Sequence, residues 1–443
     1  MVDAPIFPET KDLFGSRFDC PCGKTHYIEP RQVVYADDAI ARLPEVCSSA
    51  ADGKNVVVLM DARTRIAAGI EVVESLEQTG WTVRQVLVED PAEGVSPTCD
   101  DITKDSLLEH IGRADLLLPV GSGTINDLGK WLSCEVSVPY VCFATAASMN
   151  GYASSNIAAT IQGLKSLLPG KPPVAVITSP SVISKAPDRM TGSGLGDVLA
   201  KSVSSADWYL NHLLFDDYYC RNSVNLIAQI EPLYLEHPQD IRDKQPAAIA
   251  ALFQALLLTG AAMTMAETSA PASGAEHLIS HSLDMLCSID GREHDLHGRQ
   301  VGVATILAAE LYRRVLATES PQFVEPPTHV DRAFWGPLAE TMAQQYSDKA
   351  DRLAAAREKL SQGGEWDRLR VELATLCRSP GQIQTCLRRA GAAWRAADIG
   401  CDRERLLSAF VHANQMRSRF TVLDLVYVLG LMPSAGEIVE AWA

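Results

Sequence analysis

The feature that most constrains the fold is an alternation of short apolar runs with helical segments along the first 180 residues. Five runs predict strands: Asn55–Met60, Thr82–Val88, Asp115–Val120, Tyr140–Ala144 and Val174–Thr178. Between them, Ile66–Gln78 and Thr103–Ile111 predict helices. Continuously apolar strands separated by helices are typical of a parallel sheet that is covered on both faces. The sequence therefore predicts a doubly wound α/β domain.

The strand pattern ends near Pro180, and the rest of the chain predicts helices. Apolar helical stretches recur between polar linkers: Ala247–Met265, Val301–Leu316, Arg352–Leu360 and Arg403–Met416. A chain of 443 residues is long enough for about two to three domains. We therefore expect an α/β nucleotide-binding domain over residues 1–180 and an all-α domain over residues 181–443.

Charge and cysteine content restrict the partners and the compartment. The formal net charge of −16 argues against nucleic acid, because phosphate backbones are bound by concentrated Lys and Arg. The negative charge is still compatible with a small phosphorylated substrate, since the N-terminus of a single helix can bind a phosphate group. The chain starts without the features of a signal peptide, and no apolar run reaches the roughly 20 residues of a membrane span. Eleven scattered cysteines suit reduced thiols, so we expect a cytoplasmic protein without a membrane span.

Two turns of small residues follow neighbouring strands of the predicted sheet. Strand 115–120 leads into GSGTIND at 121–127, and strand 140–144 leads into TAASMNGYAS at 145–154. Such a turn before a helix lets backbone N–H groups approach a phosphate. The first turn is not the GxGxxG fingerprint and could equally be a tight connection. Together the two turns indicate a crevice for a dinucleotide. Asp61 ends a strand near the expected ribose, but its orientation, which bears on NAD against NADP, is not given by the sequence.

A histidine-rich stretch carries the candidate metal ligands. Four of the ten histidines lie between His277 and His297. His277 and His281 are four residues apart, so they share one face of a helix, and an Asp-Gly turn precedes His297. Imidazole is a frequent ligand of divalent metals. The alternative is a polar helix end with scattered surface histidines.

Two further motifs have competing interpretations. Asp197 follows three glycines in TGSGLGD at 191–197, where it could face a ligand; an N-cap of a helix over Val198–Leu210 is the favoured interpretation. CPCGKTH at 20–26 places two cysteines near a histidine. A zinc site needs a fourth ligand and normally wider cysteine spacing, so a tight hairpin turn is favoured over a metal knuckle.

In chain order, these motifs resemble the sn-glycerol-1-phosphate dehydrogenases, especially the bacterial AraM-type branch. That family belongs to the superfamily of dehydroquinate synthases and iron-containing alcohol dehydrogenases. The resemblance covers nearly the whole chain. It includes CPCGKTH at 20–26, GSGTIND at 121–127, TAASMNGYAS at 145–154, GSGLGDVLAKSVSSADW at 192–208, EHLISHSLD at 276–284, HGRQVGV at 297–303 and RSRFTVLDLVYVLG at 417–430.

The resemblance implies a Rossmann-like nucleotide domain, an all-α C-terminal domain and an active site in the cleft between them. It implies one divalent metal, zinc or nickel, held by Asp197, His277 and His297. It implies that NAD or NADP is bound by Gly121, Ser122, Gly123, Asp127, Thr145, Ser148 and Ser154. It implies that Asn150 and His281 contact the substrate and that His281 and Asp197 are catalytic. His294 has no role in the implied site.

The implied reaction is NAD(P)H-linked reduction of dihydroxyacetone phosphate to sn-glycerol 1-phosphate by a homo-oligomer, a dimer or larger. One position departs from the family, which usually has an acidic residue where this chain has Asn150. Asparagine loses the charge and adds a hydrogen-bond donor, so the departure bears on the substrate. The alternatives are a metal-dependent polyol or glycerol dehydrogenase, a dehydroquinate synthase-like cyclase, and a non-catalytic interaction protein that kept the fold.

Overall fold

The computed structural model describes residues 13–226 and 230–443. Within these residues the chain divides into two compact units. The first unit comprises the chain up to Gly194 together with Asn225–Thr268, and the second comprises Leu195–Val224 and Ser269–Ala443. The division of functions at residue 180 stays a prediction.

The first unit is built on a parallel sheet. The strands in the described residues are β1 (Arg17–Asp19), β2 (Thr25–Tyr27), β3 (Gln32–Tyr35), β4 (Asn55–Asp61), β5 (Thr82–Val88), β6 (Leu116–Gly121), β7 (Val141–Ala144), β8 (Asn156–Ile161), β9 (Leu164–Pro169) and β10 (Ala175–Thr178). Six of them form one sheet in the order β3-β10-β7-β6-β4-β5, with parallel pairing throughout. The other four form two antiparallel hairpins, β1–β2 and β8–β9. All five predicted strands lie in the parallel sheet, so the α/β prediction is confirmed.

Helices supply most of the remaining regular structure. They are α1 (Ala39–Ala50), α2 (Ala62–Thr64), α3 (Ile70–Gln78), α4 (Asp101–Ile111), α5 (Gly123–Val136), α6 (Pro180–Ser184), α7 (Asp188–Leu199), α8 (Lys201–Phe215), α9 (Arg221–Asn225), α10 (Glu231–Leu235), α11 (Pro238–Arg242), α12 (Pro246–Ala266), α13 (Ala275–Asp290), α14 (His297–Ala317), α15 (Arg332–Trp335), α16 (Ala339–Ser347), α17 (Ala350–Leu360), α18 (Glu365–Leu373), α19 (Pro380–Arg389), α20 (Arg403–His412), α21 (Val422–Val428) and α22 (Ala435–Trp442). A π-helical turn, Arg65–Gly69, joins α2 to α3. No strand follows β10 in the described part of the chain. The prediction of a helical C-terminal part is therefore confirmed.

Alternate residues of the strands build the core of the first unit. Val56 and Val58 of β4 are fully buried and pack in one cluster with Leu43 of α1 and with Val72 and Leu76 of α3. Because successive side chains of a strand point to opposite faces, a strand that is apolar at every position needs cover on both sides. The helices between the strands supply that cover.

The order in which successive strands are added to the sheet changes direction between β4 and β6. From β4 the chain continues to the edge strand β5 and then crosses back past β4 to β6. In parallel sheets, ligands bind at the carboxyl ends of strands next to such a reversal. Gly121 at the end of β6 is paired with Ala144 at the end of β7. The two small-residue turns that follow these strands therefore lie side by side, as predicted.

Helix α12 is long and apolar. By length and composition alone it could cross a membrane, and within the described residues the bent pair Val422–Val428 and Met432–Trp442 is a second candidate. The sequence expectation that no run reaches this length is therefore wrong for α12. In the structure, 89% of its most apolar 18-residue window is buried inside the protein. A helix that is apolar on all sides suits such a core position.

The glycines around Asp197 lie inside a helix. Asp197 belongs to α7, so the favoured interpretation of this residue as an N-cap is wrong. A Cβ atom at Gly194 would lie 2.1 Å from the carbonyl oxygen of Ala147, and one at Gly196 would lie 2.0 Å from that of Gly298. These glycines therefore permit close backbone packing, although glycine in a helix interior costs about 0.5–1 kcal/mol relative to alanine.

Candidate functional site

Three helices bring the predicted metal ligands together, and all three ligand residues belong to the second unit. Asp197 lies in the last turn of α7, His277 in the first turn of α13, and His297 begins α14. One ligand atom from each lies within 4.8 Å of the others, and His277 Nε2 is 3.7 Å from Asp197 Oδ1. Metal bonds of about 2.0–2.2 Å separate neighbouring ligand atoms by roughly 3–4 Å. One carboxylate and two imidazoles at this spacing fit a divalent ion.

Glu276 orients His277. The Nδ1 atom of His277 lies 2.7 Å from Glu276 Oε1, and the Glu276 side chain is fully buried. With Nδ1–H donating to this carboxyl group, Nε2 carries the lone pair on the side of Asp197. Burial lowers the pKa of His277 to about 4, against the opposing effect of Asp197. The ring is therefore neutral near pH 7, as a metal ligand must be.

The start of α13 is fixed by a second buried carboxyl group, that of Asp207. Its Oδ2 accepts the Ala275 N–H at 2.7 Å, and its Oδ1 accepts the Tyr312 hydroxyl at 2.6 Å and the Val422 N–H at 2.8 Å. Burial first, and then the nearby Glu276, raises the pKa of Asp207 to about 7. These bonds hold the helix end that carries His277, so the ligand is anchored through backbone as well as side chain.

His281 lies one turn after His277, and its ring stacks on that of His297 with a centroid separation of 5.5 Å. Its Nδ1 is 3.9 Å from Asp284 Oδ2, and His281, Asp284 and His297 form a second group with converging ligand atoms. Burial lowers the pKa of His281 to about 4. His294 is exposed, with 45% of its side chain accessible to solvent, and its Nδ1 lies 3.9 Å from Asp284 Oδ1. The structure thus offers His281 as either a ligand or a proton-transfer group.

In the first unit, the turn after β6 has the geometry of a phosphate cradle. Gly121 lies so close to the following helix that a Cβ atom there would approach Ile125 Cβ to 2.4 Å. A Cβ atom at Gly123 would meet only Met149 Cγ, at 3.9 Å, among the described atoms. Gly123 starts the 14-residue helix α5, and no described side chain caps that helix start. Open space beside uncapped N–H groups fits the phosphate of a dinucleotide.

The turn after β7 is held against this cradle by hydrogen bonds. The Ser122 and Ser148 hydroxyls are bonded to each other, and the Thr145 N–H donates to the Gly121 carbonyl at 3.1 Å. The Tyr152 hydroxyl donates to the Ala146 carbonyl at 2.8 Å. Thr145 and Ser148 are each buried, at 7% exposure. The two turns thus form one continuous polar edge.

Asp127 and Lys130 form a buried ion pair under the second turn. Their Oδ1 and Nζ atoms are 3.5 Å apart, and Lys130 Nζ also donates to the carbonyls of Gly151 and Asn156 at 2.9 and 2.7 Å and to Ser154 Oγ at 3.3 Å. Burial raises the pKa of Asp127 and lowers that of Lys130, while each partner opposes the shift of the other. Asp127 and Ser154, both predicted nucleotide contacts, thus also shape the loop around Lys130.

Asn150 and Asp61 complete the predicted positions of the first unit. The Asn150 carbonyl packs against α12 so closely that a Cβ atom at Gly260 would approach it to 2.4 Å. Asp61 ends β4, and its carboxylate accepts the Thr64 N–H at 2.7 Å. Arg63 bridges Asp61 and Asp90, with closest distances of 3.1 and 2.6 Å. An acidic group and a guanidinium thus stand together at this strand end.

Comparison with known proteins agrees with this architecture. Residues 34–187 match the family model of the iron-containing alcohol dehydrogenases. The glycerol-1-phosphate dehydrogenase of Thermococcus kodakarensis is 33% identical over 285 residues, which cover 64% of this chain and 78% of that protein. That of Bacillus licheniformis is 27% identical over 419 residues, covering 94% and 93%. This chain belongs to the glycerol-1-phosphate dehydrogenase family.

Solved structures show the same fold in other dehydrogenases. The glycerol dehydrogenase of Schizosaccharomyces pombe superposes with a TM-score of 0.62 at 15% identity, covering 97% of this chain and 93% of that one. The butanol dehydrogenase A of Thermotoga maritima gives a TM-score of 0.59 at 17% identity, covering 94% and 98%. At identities this low, the comparison shows only a shared fold between these dehydrogenases and this member of the glycerol-1-phosphate dehydrogenase family.

Sequence reasoning missed several polar residues of this family member's site. Glu276 and Asp284 flank the histidines on α13, and Lys130 lies three residues after Asp127 on α5. The available signal was helical spacing, since Asp284 follows His281 by three residues and so shares its face. Glu276 gave no such signal, because adjacent residues of a helix do not face each other.

Proposed function

We propose that this protein is a metal-dependent, NAD(P)H-linked dehydrogenase that reduces dihydroxyacetone phosphate to sn-glycerol 1-phosphate. The observation that carries the proposal is the convergence of Asp197, His277 and His297. Membership of the glycerol-1-phosphate dehydrogenase family supports the reaction, and relatives of that name are described as using NAD(P)+.

Asp197, His277 and His297 would hold the ion, for which we propose zinc or nickel. Seven residues of the two small-residue turns would line the dinucleotide: Gly121, Ser122, Gly123, Asp127, Thr145, Ser148 and Ser154. When bound, the nicotinamide supplies a hydride and the ion supplies Lewis acidity toward the ketone oxygen. Three protein ligands leave a coordination position open, as a catalytic site requires.

His281 is the proposed proton-transfer residue. Because burial holds its pKa near 4, the imidazole is neutral near pH 7. A neutral imidazole donates a hydrogen bond at one nitrogen and accepts one at the other. It can therefore pass a proton to the oxygen of the reduced substrate and accept another at the second nitrogen. Asp284 Oδ2, 3.9 Å from Nδ1, lies on the side of the nitrogen that would take up the replacement proton, while Nε2 carries the hydrogen that is given to the substrate.

Asn150 is the proposed determinant of substrate choice. A neutral amide does not repel a phosphorylated substrate as a carboxylate would, and it offers a donor to a phosphate or hydroxyl oxygen. Because Asn150 replaces the acidic residue that is usual in the family, a second candidate function is the oxidation or reduction of unphosphorylated polyols such as glycerol. That enzyme would use the same metal and nucleotide sites. A site built for hydrogen bonding rejects a substrate that leaves its groups unpaired.

An absorbance assay with purified protein tests the proposal. NADH or NADPH is mixed with dihydroxyacetone phosphate, and in parallel with dihydroxyacetone. Oxidation of the cofactor only with the phosphorylated ketone is expected, and its product should not be a substrate for a dehydrogenase specific for sn-glycerol 3-phosphate. Turnover of dihydroxyacetone alone would instead identify a polyol dehydrogenase. A dehydroquinate synthase-like cyclase would release phosphate from its own substrate without net change of the cofactor.

We further propose a cytoplasmic homo-oligomer, a dimer or larger, that acts on a small phosphorylated three-carbon substrate, binds no nucleic acid and has no membrane span. The net charge of −16 supports the exclusion of nucleic acid. Size-exclusion chromatography with light scattering measures the subunit number directly.

A further inference from the structure

The CPCGKTH segment forms a tight hairpin in the first unit. Strands β1 and β2 pair Phe18 with His26 and Asp19 with Thr25. The turn is closed by the Cys20 N–H, which donates to the Lys24 carbonyl at 2.9 Å, and by the Gly23 N–H, which donates to the Cys20 carbonyl at 3.0 Å. Gly23 has a φ of +88°, a conformation that favours glycine. The predicted hairpin is therefore present.

The same hairpin gathers three metal-binding side chains. The Sγ atoms of Cys20 and Cys22 and a ring nitrogen of His26 all lie within 4.8 Å of one another. Cys22 Sγ is 3.2 Å from His26 Nε2. The single residue between the cysteines is narrower than usual zinc-site spacing, but the turn at Gly23 brings both thiols to the side of His26.

The site is sheltered and anchored. Cys20 is 9% exposed and His26 is 2% exposed. The Phe18 ring meets the His26 ring edge-on, with 5.6 Å between centroids. Lys24 Nζ binds Glu267 Oε2 at 2.7 Å, which ties the turn to the C-terminal end of α12. The hairpin is therefore fixed to a core helix rather than standing free.

The geometry points to a second metal site, in which Cys20, Cys22 and His26 bind a structural zinc ion. Thiolates and imidazole are the ligands that structural zinc prefers. Zn–S bonds of about 2.3 Å and Zn–N bonds of about 2.0–2.1 Å place tetrahedral ligand atoms roughly 3.5–4 Å apart, compatible with the observed cluster. The fourth tetrahedral position would be filled by a further ligand such as water. On binding, the thiols release their protons and the ion clamps the hairpin.

Elemental analysis of full-length variants tests the proposal. In Asp197→Ala/His297→Ala, which removes the ligands of the other metal, we expect about one zinc ion per chain to remain. Adding Cys20→Ser and Cys22→Ser should remove that ion, whereas adding Cys134→Ser, a half-buried cysteine of α5, should not. Equal zinc content with and without Cys20 and Cys22 would overturn the proposal.

X-ray absorption on zinc-loaded Asp197→Ala/His297→Ala keeps the proposal testable even where the serine variants fail to fold. At least two sulfur ligands and one imidazole nitrogen are expected. Coordination by oxygen and nitrogen alone, or a Cys20–Cys22 disulfide in the isolated protein, would overturn it. Because Cys22→Ser lies outside the proposed catalytic machinery, its kcat should match that of the unmodified protein while its Tm falls.

Discussion

His277 and His281 are one helical turn apart, yet their surroundings assign them different chemistry. His277 is held by Glu276 on one side and faces Asp197 on the other, so its free nitrogen has a fixed direction. His281 is held less closely at Nδ1, which lies 3.9 Å from Asp284 Oδ2, while its ring stacks on that of His297. A fixed ring suits a metal ligand, and a ring that can exchange partners suits proton transfer.

Alanine substitutions separate these two roles. His297→Ala should empty the metal site and lower kcat on the order of a thousandfold, since Lewis-acid stabilisation is worth several kcal/mol. His281→Ala should retain the ion and lower kcat about a hundredfold, the usual range for a general acid–base residue. Metal analysis beside steady-state kinetics measures both effects. His294→Ala, an exposed histidine, is the control, and loss of metal in His281→Ala would contradict the assignment.

Arg63 should set the preference between the two cofactors. Asp61 would repel the 2′-phosphate of NADPH, and Arg63, which is paired with that carboxylate, offsets the repulsion. We expect Arg63→Ala to lower kcat/KM for NADPH relative to NADH about tenfold, equivalent to about 1.4 kcal/mol. Arg65→Ala, an exposed neighbour, should leave the ratio unchanged. An unaltered ratio in Arg63→Ala would place the ribose elsewhere.

At the scale of elements, the position of Asp197 depends on how closely α7 approaches α14. The backbone of α7 at Gly196 touches that of α14 at Gly298 and Gly302, and the two helices carry Asp197 and His297. No side chain fits between them. The relative placement of Asp197 and His297, the proposed ligands, therefore depends on this helix contact.

Gly196→Ala tests this dependence without altering a ligand. Its Cβ atom would lie 2.0 Å from the Gly298 carbonyl, so the helices must separate. We expect metal affinity to fall about 10- to 100-fold, as when groups that orient ligands are lost. The control is Gly436→Ala in α22, where a Cβ atom meets no described atom within 4 Å. That variant should keep its metal affinity and gain about 0.5–1 kcal/mol of stability in urea unfolding. Equal metal affinity in both variants would refute the dependence.

The sequence predicts strands that are apolar on both faces. It does not predict elements that form only by pairing with a distant part of the chain. The four internal strands β4, β6, β7 and β10 were predictable because apolar residues fill both faces. The edge strand β3 was not, since its four residues become a strand only by pairing with β10. Asp197 was misassigned to a helix cap because three glycines usually break helices, whereas here the packing of α7 requires them. The convergence of Asp197 with His277 and His297 depends on contacts between distant segments, so spacing could suggest only the two histidines of α13.

At the scale of the whole molecule, metal and dinucleotide should protect different parts of the chain. The proposed metal ligands lie on α7, α13 and α14, whereas the proposed phosphate site lies between β6 and α5. By hydrogen exchange, added zinc should slow amide exchange in the first set, and added NADH should slow it around Gly121–Gly123. In His297→Ala the zinc effect on α13 and α14 should disappear while the NADH effect persists. Zinc-dependent protection confined to the sheet would contradict the assigned ligands.

Gly291, with a φ of +71°, ends α13 and lets the chain return to begin α14 at His297. The two imidazoles proposed as ligands thus lie in one short segment of the chain, while the proposed carboxylate ligand, Asp197, lies far earlier in the sequence. Transferring that segment to another protein would transfer both imidazoles together. Inserting residues after Gly291 would separate the two rings even though no ligand residue had been changed.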